Sequence, residues 1–362
     1  MKSFRIQAGT FWKVFFQEEK NLRQLLDHEN DHRTLIEYKM KQVLDICLSD
    51  CAFTIAKKPN GRYELVLSPQ KDKLFILYLR YLTAQVPKTL LHLWDFYYAN
   101  HPCEDRGIKF TVRDQTIGFA DIQVYPTIKD QSFALEIYAD VFRNMRKEDQ
   151  FQKIYELLDS AIGEIPTMYW IQSIRFLKKR KSGGIRMDQL SDYIKETIEK
   201  QHWMNVSHPL QVYSAYTVLP RRRDFHLRND VYSGISSQTA LIAEMNRYDD
   251  THVRWGEANG IIIGFVFYEH MHLAKGDRII VRENLEEKLN HCCEIKQAAE
   301  NIGAANGLFY TYLDYVVYDW ELFVKILNEV MEDVNTQMYG FQYMISGEQP
   351  LYLVNNKPSG QG

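Results

Sequence analysis

Residues 260–270 read GIIIGFVFYEH and residues 308–319 read LFYTYLDYVVYD, two runs whose density of β-branched and aromatic side chains marks them as buried strands. Between them, the stretch from about Asp277 to Cys293 has the apolar spacing of a helix. A second helix is expected from about Trp320 to Val334, and two short strands follow at FQYMIS (341–346) and LYLV (351–354). Strand, helix, strand, helix, strand is the alternation of a split β-α-β layer, so this last module is expected to be ferredoxin-like. Upstream of it, PLQVYSAYTVL (209–219), NDVYSG (229–234) and ALIAEM (240–245) read as further strands of the same module.

Working outward to the N-terminus, a helix from about Met187 to Lys200 is expected to connect modules. It follows a basic segment, Lys178, Lys179, Arg180 and Lys181, that ends in Ser182, Gly183 and Gly184 and reads as a solvated linker. Before it come GIKFTV (107–112), IGFADIQVYPT (117–127) and SFALEIYADV (132–141), expected as an antiparallel meander. A helix from about Lys147 to a cap at Gly163 and a strand TMYWIQSIRFL (167–177) complete that unit. The chain opens with two amphipathic helices, on Phe11, Phe15, Leu22, Leu25 and Leu26 and then on Leu35, Met40, Val43 and Leu44. The run CAFTIAKKPNGRYELVLS (51–68) then carries Asn60-Gly61 between two alternating strands, a hairpin signal with a mechanism, since the turn needs positive φ. A helix from about Asp72 to Ala84 and an aromatic strand LLHLWDFYY (90–98) follow. The expected architecture is α+β, in tandem two-layer modules of mainly antiparallel sheets packed on helices. The boundaries read as 1–100, 101–180, a linker and connector helix over 181–207, a C-terminal module over 208–354, and a disordered tail over 355–362.

Composition narrows the function classes. Forty-four basic and forty-seven acidic residues leave a formal charge of -3, so no global field draws the chain to phosphate backbones or anionic lipid, and neither nucleic acid nor membrane is an expected partner. Five cysteines without repeated spacing, in a chain with no apolar run long enough for a signal peptide or spanning helix, point to a reducing cytoplasm. Aromatic content is 13%, which favours strand-rich layers and large contact surfaces.

Motifs with built-in chemistry are missing from the sequence: no Gly-x-Ser-x-Gly, no Gly-x-x-x-x-Gly-Lys, no Gly-x-Gly-x-x-Gly and no His-Glu-x-x-His. Glu269, His270 and His272 stand at the end of the GIIIGFVFYEH strand, where His270 and His272 would project to one face and a two-His metal site is geometrically possible. With Lys275 and Gly276 marking a loop, the histidines are read as ordinary exposed ones. His291, Cys292 and Cys293 diverge around a helix and are read as packing, as are Cys47 and Cys51. No metal and no cofactor is expected. Two polar constellations remain. Arg228 and Asp230, leading into Val231, could clamp a carboxylate or phosphate, or could simply pair at a module boundary. Tyr310, Tyr312 and Asp314 alternate onto one face of a strand, where they could line a pocket or hydrogen-bond one another.

The segments FWKVFFQEEKNLRQLL (11–26), GRYELVLSP (61–69) and LLDSAIGEI (157–165) resemble a group of bacterial proteins of unknown function, with a looser echo in LRNDVYSG (227–234) and GAANGLFYTYLDYVVYD (303–319). The resemblance implies a bacterial cytosolic setting and an α+β fold, and carries no catalytic residue across. With motifs missing, strands rich in tyrosine and a charge near neutral, the leading expectation is a non-enzymatic protein that binds another protein, as an adaptor or immunity-type partner, through aromatic-rich sheets or the cleft between modules. The competing expectation is an enzyme or small-molecule binder with a pocket between the middle and C-terminal modules, around Arg228, Asp230, Tyr310, Tyr312 and Asp314.

Overall fold

The computed structural model describes residues 2–112, 115–203, 212–221, 227–271, 273–334 and 336–355. Two compact units divide the chain. One gathers the described residues of Met1–Leu22, Thr34–Asp50 and Val212–Gly362, the other those of Arg23–Arg33 and Cys51–Gln211. The expected disordered tail, the arginines at 222 and 223 and the histidine at 272 lie outside the described residues, apart from Asn355.

Helices α1 (Phe4–Leu26) and α2 (Glu29–Leu44) open the chain. The Asn60-Gly61 hairpin forms as β1 (Ala52–Lys57) and β2 (Tyr63–Ser68), in register from Ala52 opposite Ser68 to Lys57 opposite Tyr63, with Gly61 at φ +83. Asp72 caps α3 (Lys73–Ala84) by accepting from the amides of Leu74 and Phe75 at 2.8 and 3.3 Å. The aromatic strand shrinks to β3 (Trp94–Tyr97), parallel to β2. Residues 90–93 are consumed by the turn after Pro87, where the Leu90 and Leu91 amides bond back to the carbonyls of Pro87 and Lys88.

The expected meander is two hairpins. Strands β4 (Lys109–Val112) and β5 (Gln115–Gly118) pair alone, and β6 (Gln123–Lys129) pairs with β7 (Ser132–Tyr138). Asp121 is the cause: its carboxylate accepts the Gly118 amide at 2.8 Å and turns residues 119–121 into a short 3-10 helix. After α4 (Lys147–Ile162) the expected strand from 167 begins instead as α5 (Glu164–Trp170), started by Gly163 at φ +94. Only then does β8 (Ile171–Phe176) run parallel to β7. Strand β9 (Ile185–Arg186) pairs with β6, and α6 (Leu190–Lys200) ends this half of the chain.

The C-terminal part builds a seven-stranded antiparallel sheet. Its strands are β10 (Ser214–Thr217), β11 (Val231–Ser236), β12 (Ile262–Glu269), β13 (Ala299–Gly307), β14 (Tyr310–Val317), β15 (Met338–Tyr343) and β16 (Tyr352–Asn355), in the order β10-β11-β13-β14-β12-β15-β16. Helix α9 (Lys275–Lys296) joins β12 to β13, and α10 (Trp320–Met331) joins β14 to β15. The four central strands thus run second, third, first, fourth in chain order, every neighbouring pair antiparallel, which is the ferredoxin-like β-α-β-β-α-β arrangement. Two expectations are corrected here. ALIAEM is not a strand but lies within helix α7 (Thr239–Arg247), which is followed by α8 (Thr251–Ala258). Strand β13, unforeseen, supplies the missing member of the motif.

The sheet buries both faces. Leu313, Tyr315 and Val317 of β14 and Val266 and Tyr268 of β12 pack under Leu285 and Leu289 of α9 and Phe323, Ile326 and Leu327 of α10. On the opposite face Phe265, Phe267, Tyr310 and Tyr312 form a second core with Val231 and Ala305. On that same side, α8 approaches closely enough that a Cβ on Gly256 would stand 3.2 Å from Ile263.

Candidate functional site

The alternation read for β14 is realised: Tyr310, Tyr312 and Asp314 share the face opposite α9 and α10, with Phe265 across from Asp314 and Phe267 across from Tyr312. On the other flank of β14, β13 presents Gly303 opposite Asp314 and Ala305 opposite Tyr312, and ends at Gly307. Small residues at period two carve a trough along that strand. The side chain of Asp230 reaches into it so tightly that a Cβ on Gly307 would stand 2.1 Å from Asp230 Oδ2.

Within the trough the five expected site residues come together. Asp230 is fully buried. Its Oδ2 accepts from the amides of Phe309 and Tyr310 at 2.9 and 3.2 Å, and its Oδ1 from the Tyr312 hydroxyl at 2.6 Å. It ties down the β13–β14 turn, whose Leu308 amide also donates to the Asp230 carbonyl at 3.1 Å. The Tyr312 hydroxyl in turn accepts the Arg228 amide at 2.9 Å. Burial, reinforced by the Asp230 charge, holds this phenol well above its ordinary pKa. The Tyr310 ring stands edge-on to that of Phe267, with centroids 6.0 Å apart.

Arg228 is the unusual member. Its backbone is left-handed at φ +67, a region that side-chain-bearing residues visit uncommonly. Its guanidinium, 6% exposed, donates through Nη2 to Asp314 Oδ1, which is 0% exposed. It also lies 4.7 and 4.9 Å from the ring centres of Phe265 and Tyr312. Pairing is incomplete. Nη1 reaches Tyr216 at 3.5 Å, the outer limit of a hydrogen bond, and Arg228 Nε and Asp314 Oδ2 have no partner among the described residues. A buried ion pair with unmet capacity stabilises a fold poorly, because desolvation offsets the attraction.

A pocket of about 200 Å3 opens beside Arg228. Its polar lining is Tyr216, Arg221, Arg228, Asn229, Asn246 and Ser346; its apolar lining is Val218, Leu219, Val231, Ile242 and Met245. Arg221 is braced by Nη2, which donates to the Asn246 carbonyl and side-chain oxygen at 2.9 and 3.1 Å. Arg221 and Arg228 both contribute to this lining, Arg228 with its guanidinium paired to Asp314, and none of the described lining residues is a carboxylate.

Other expected candidates resolve differently. His270 is not exposed but buried, its ring nitrogens 2.8 Å from Thr311 Oγ1 and 3.3 Å from the Leu308 carbonyl. Cys47, Cys51 and Cys293 are buried, and burial pushes the Cys51 and Cys293 thiols up to about 12. No group of three or more His, Cys, Asp or Glu side chains able to hold a metal ion is found among the described residues. None of the described helices is long and apolar enough to cross a membrane.

A polar cluster that local sequence patterns did not reveal occupies the other unit. Glu164, buried at the start of α5, accepts from Ser68 Oγ at 2.9 Å and from the Asn100 amide and side chain at 3.0 and 2.8 Å. Nearby Asp159 has its carboxyl pushed up to about 6 by burial. Burial also lowers the ammonium of Lys71, which stands 3.3 Å from the centre of the Tyr155 ring. Its members come from three separated segments, 68–71, 100 and 155–164, so no local spacing could signal it.

Compared with protein families, with curated proteins and with solved structures, the chain matches none.

Proposed function

We propose that this protein binds a small anionic ligand, a carboxylate or phosphate with a short apolar body, in the pocket beside Arg228. The observation that carries this reading is that Arg221 and Arg228 share a lining whose described residues include no carboxylate. Guanidinium groups recognise carboxylate and phosphate through directed N–H donors. Asn229, Asn246, Ser346 and Tyr216 add neutral polar groups, and Ile242 and Met245 offer an apolar wall. The strained Arg228 backbone and the unmet capacity of its ion pair fit a residue retained for recognition.

Differential scanning fluorimetry against small carboxylates, phosphate monoesters and inorganic phosphate tests the reading. A ligand at one hundred times its Kd stabilises by about 2.7 kcal/mol, a readily measured rise in Tm. Arg221→Ala, at an exposed position, should remove the rise while leaving the unliganded Tm in place. No shift with any member of the panel would refute the proposal.

The protein-binding role also has a specific surface. The tyrosines of β14 are buried and offer no contact area, but Leu219 is 91% and Tyr248 73% exposed, and Leu219 lies at the pocket rim. A partner that docks there would cover the pocket mouth. Leu219→Asp should then abolish co-purification of a stoichiometric partner from native extract, and loss of no partner removes this second role.

A further inference from the structure

A second pocket, of about 270 Å3, shares Asn229 with the first. Neighbouring residues of two short segments divide between the two linings. Leu227 faces the second pocket and Arg228 the first, while Ser346 lines the first and Gly347 the second. The left-handed backbone of Arg228 helps explain how consecutive side chains serve opposite pockets. Gly347, at φ +83, has nothing within 4 Å of where a Cβ would stand, so its side of the second pocket is uncrowded.

The chemistry of the two pockets differs. The first holds the two guanidinium groups. The second has an apolar side of Leu227, Phe267, Tyr310, Met338, Pro350 and Leu353 beside the neutral amides of Asn229, Gln342 and Gln349, and the carboxylate in its lining, Glu348, is paired with Arg254. A pocket lined by two arginines, sharing Asn229 with a neighbour that has an apolar side, matches a ligand with a charged head and a hydrocarbon body.

Resting on the anion-binding reading, we propose that the ligand is a chain-bearing acid. Its anionic head sits at Arg221 and Arg228, and its chain passes Asn229 into the second pocket. Carboxylate and phosphate heads share this chemistry, and the experiment separates them.

Isothermal titration calorimetry on the full chain, with straight-chain carboxylates from acetate to decanoate and the matching alkyl phosphates below their micelle concentrations, reads the proposal directly. Once the head pocket is filled, each added methylene should tighten binding about two- to fourfold, and the series with the lower Kd at equal chain length identifies the head. Leu353→Trp, which narrows the second pocket, should bring the long acids down to the affinity of the short ones. A second variant, Met338→Trp, provides the same readout should the first fail to fold by circular dichroism. Short acids that bind with no gain from chain length, or a gain that both folded variants leave intact, would overturn the chain-bearing ligand while leaving anion binding in place. If neither series binds, anion binding itself fails, and the chain-bearing ligand with it.

Discussion

Replacing Asp314 by Asn keeps the shape of the side chain and removes its charge, which isolates the ion pair beneath the pocket. The Arg228 guanidinium then remains almost fully buried, with two ring faces under 5 Å away and one marginal contact to Tyr216. Breaking a buried pair from one side costs about 3–5 kcal/mol. The ring faces soften the exposure of the lone cation by roughly 0.5–2 kcal/mol, and the Asn oxygen can still accept one hydrogen bond, so a loss near 3 kcal/mol is expected. The double variant Arg228→Met with Asp314→Leu removes both charges and fills the space, and should lie within about 1 kcal/mol of the parent. The left-handed backbone at 228 strains Met and Arg alike, so it does not bias the comparison. Hydrogen exchange followed by mass spectrometry on peptides covering β11 and β14 is the suitable assay, because it reports the seven-stranded sheet separately in a chain with two compact units. Single-variant protection within about 0.5 kcal/mol of the parent, or a double variant as destabilised as the two singles summed, would refute the account of Arg228 and Asp314 as a costly pair held for recognition.

Two further outcomes follow from named contacts. Asp159 has its folded pKa raised to about 6 from an ordinary value near 4. The native state therefore holds the proton more tightly than the unfolded chain, and stability is greatest below about pH 4, falls as pH rises to about 6, and stays lower above it. Two units correspond to about 3 kcal/mol, discounted to roughly 1–2 for a partly exposed carboxyl. Asp159→Asn should thus raise the urea midpoint at pH 7.5 with no gain at pH 4, and a midpoint lowered at pH 7.5 but unchanged at pH 4 would show that the Lys71 charge contact outweighs burial. Gly307→Ala should drive Asp230 away from the amides of Phe309 and Tyr310, because the new Cβ would stand 2.1 Å from its carboxylate. An expected loss of about 2–3 kcal/mol can be read from the thermal midpoint, and an unchanged midpoint would mean that the trough yields easily.

Periodicity and turn chemistry alone determined much of this molecule. The Asn60-Gly61 hairpin, the Asp72 cap, helix α4 with its stop at Gly163, and the common face of Tyr310, Tyr312 and Asp314 all follow from contacts within a few residues or from strand alternation. Those signals are local, so the chain carries them before it folds. Tertiary structure decided the rest. Strand β13 reads weakly because Gly303, Ala305 and Gly307 have poor strand propensity, yet their smallness is what admits Asp230 and gives the ferredoxin-like order its missing strand. ALIAEM became helix because α7 buries Leu241, Ile242 and Met245 at helical spacing, a choice that a six-residue apolar run leaves open. The pairing of Arg228 with Asp314 spans 86 residues, and only the folded sheet brings such distant charges into one water-poor trough, where their interaction acquires its strength.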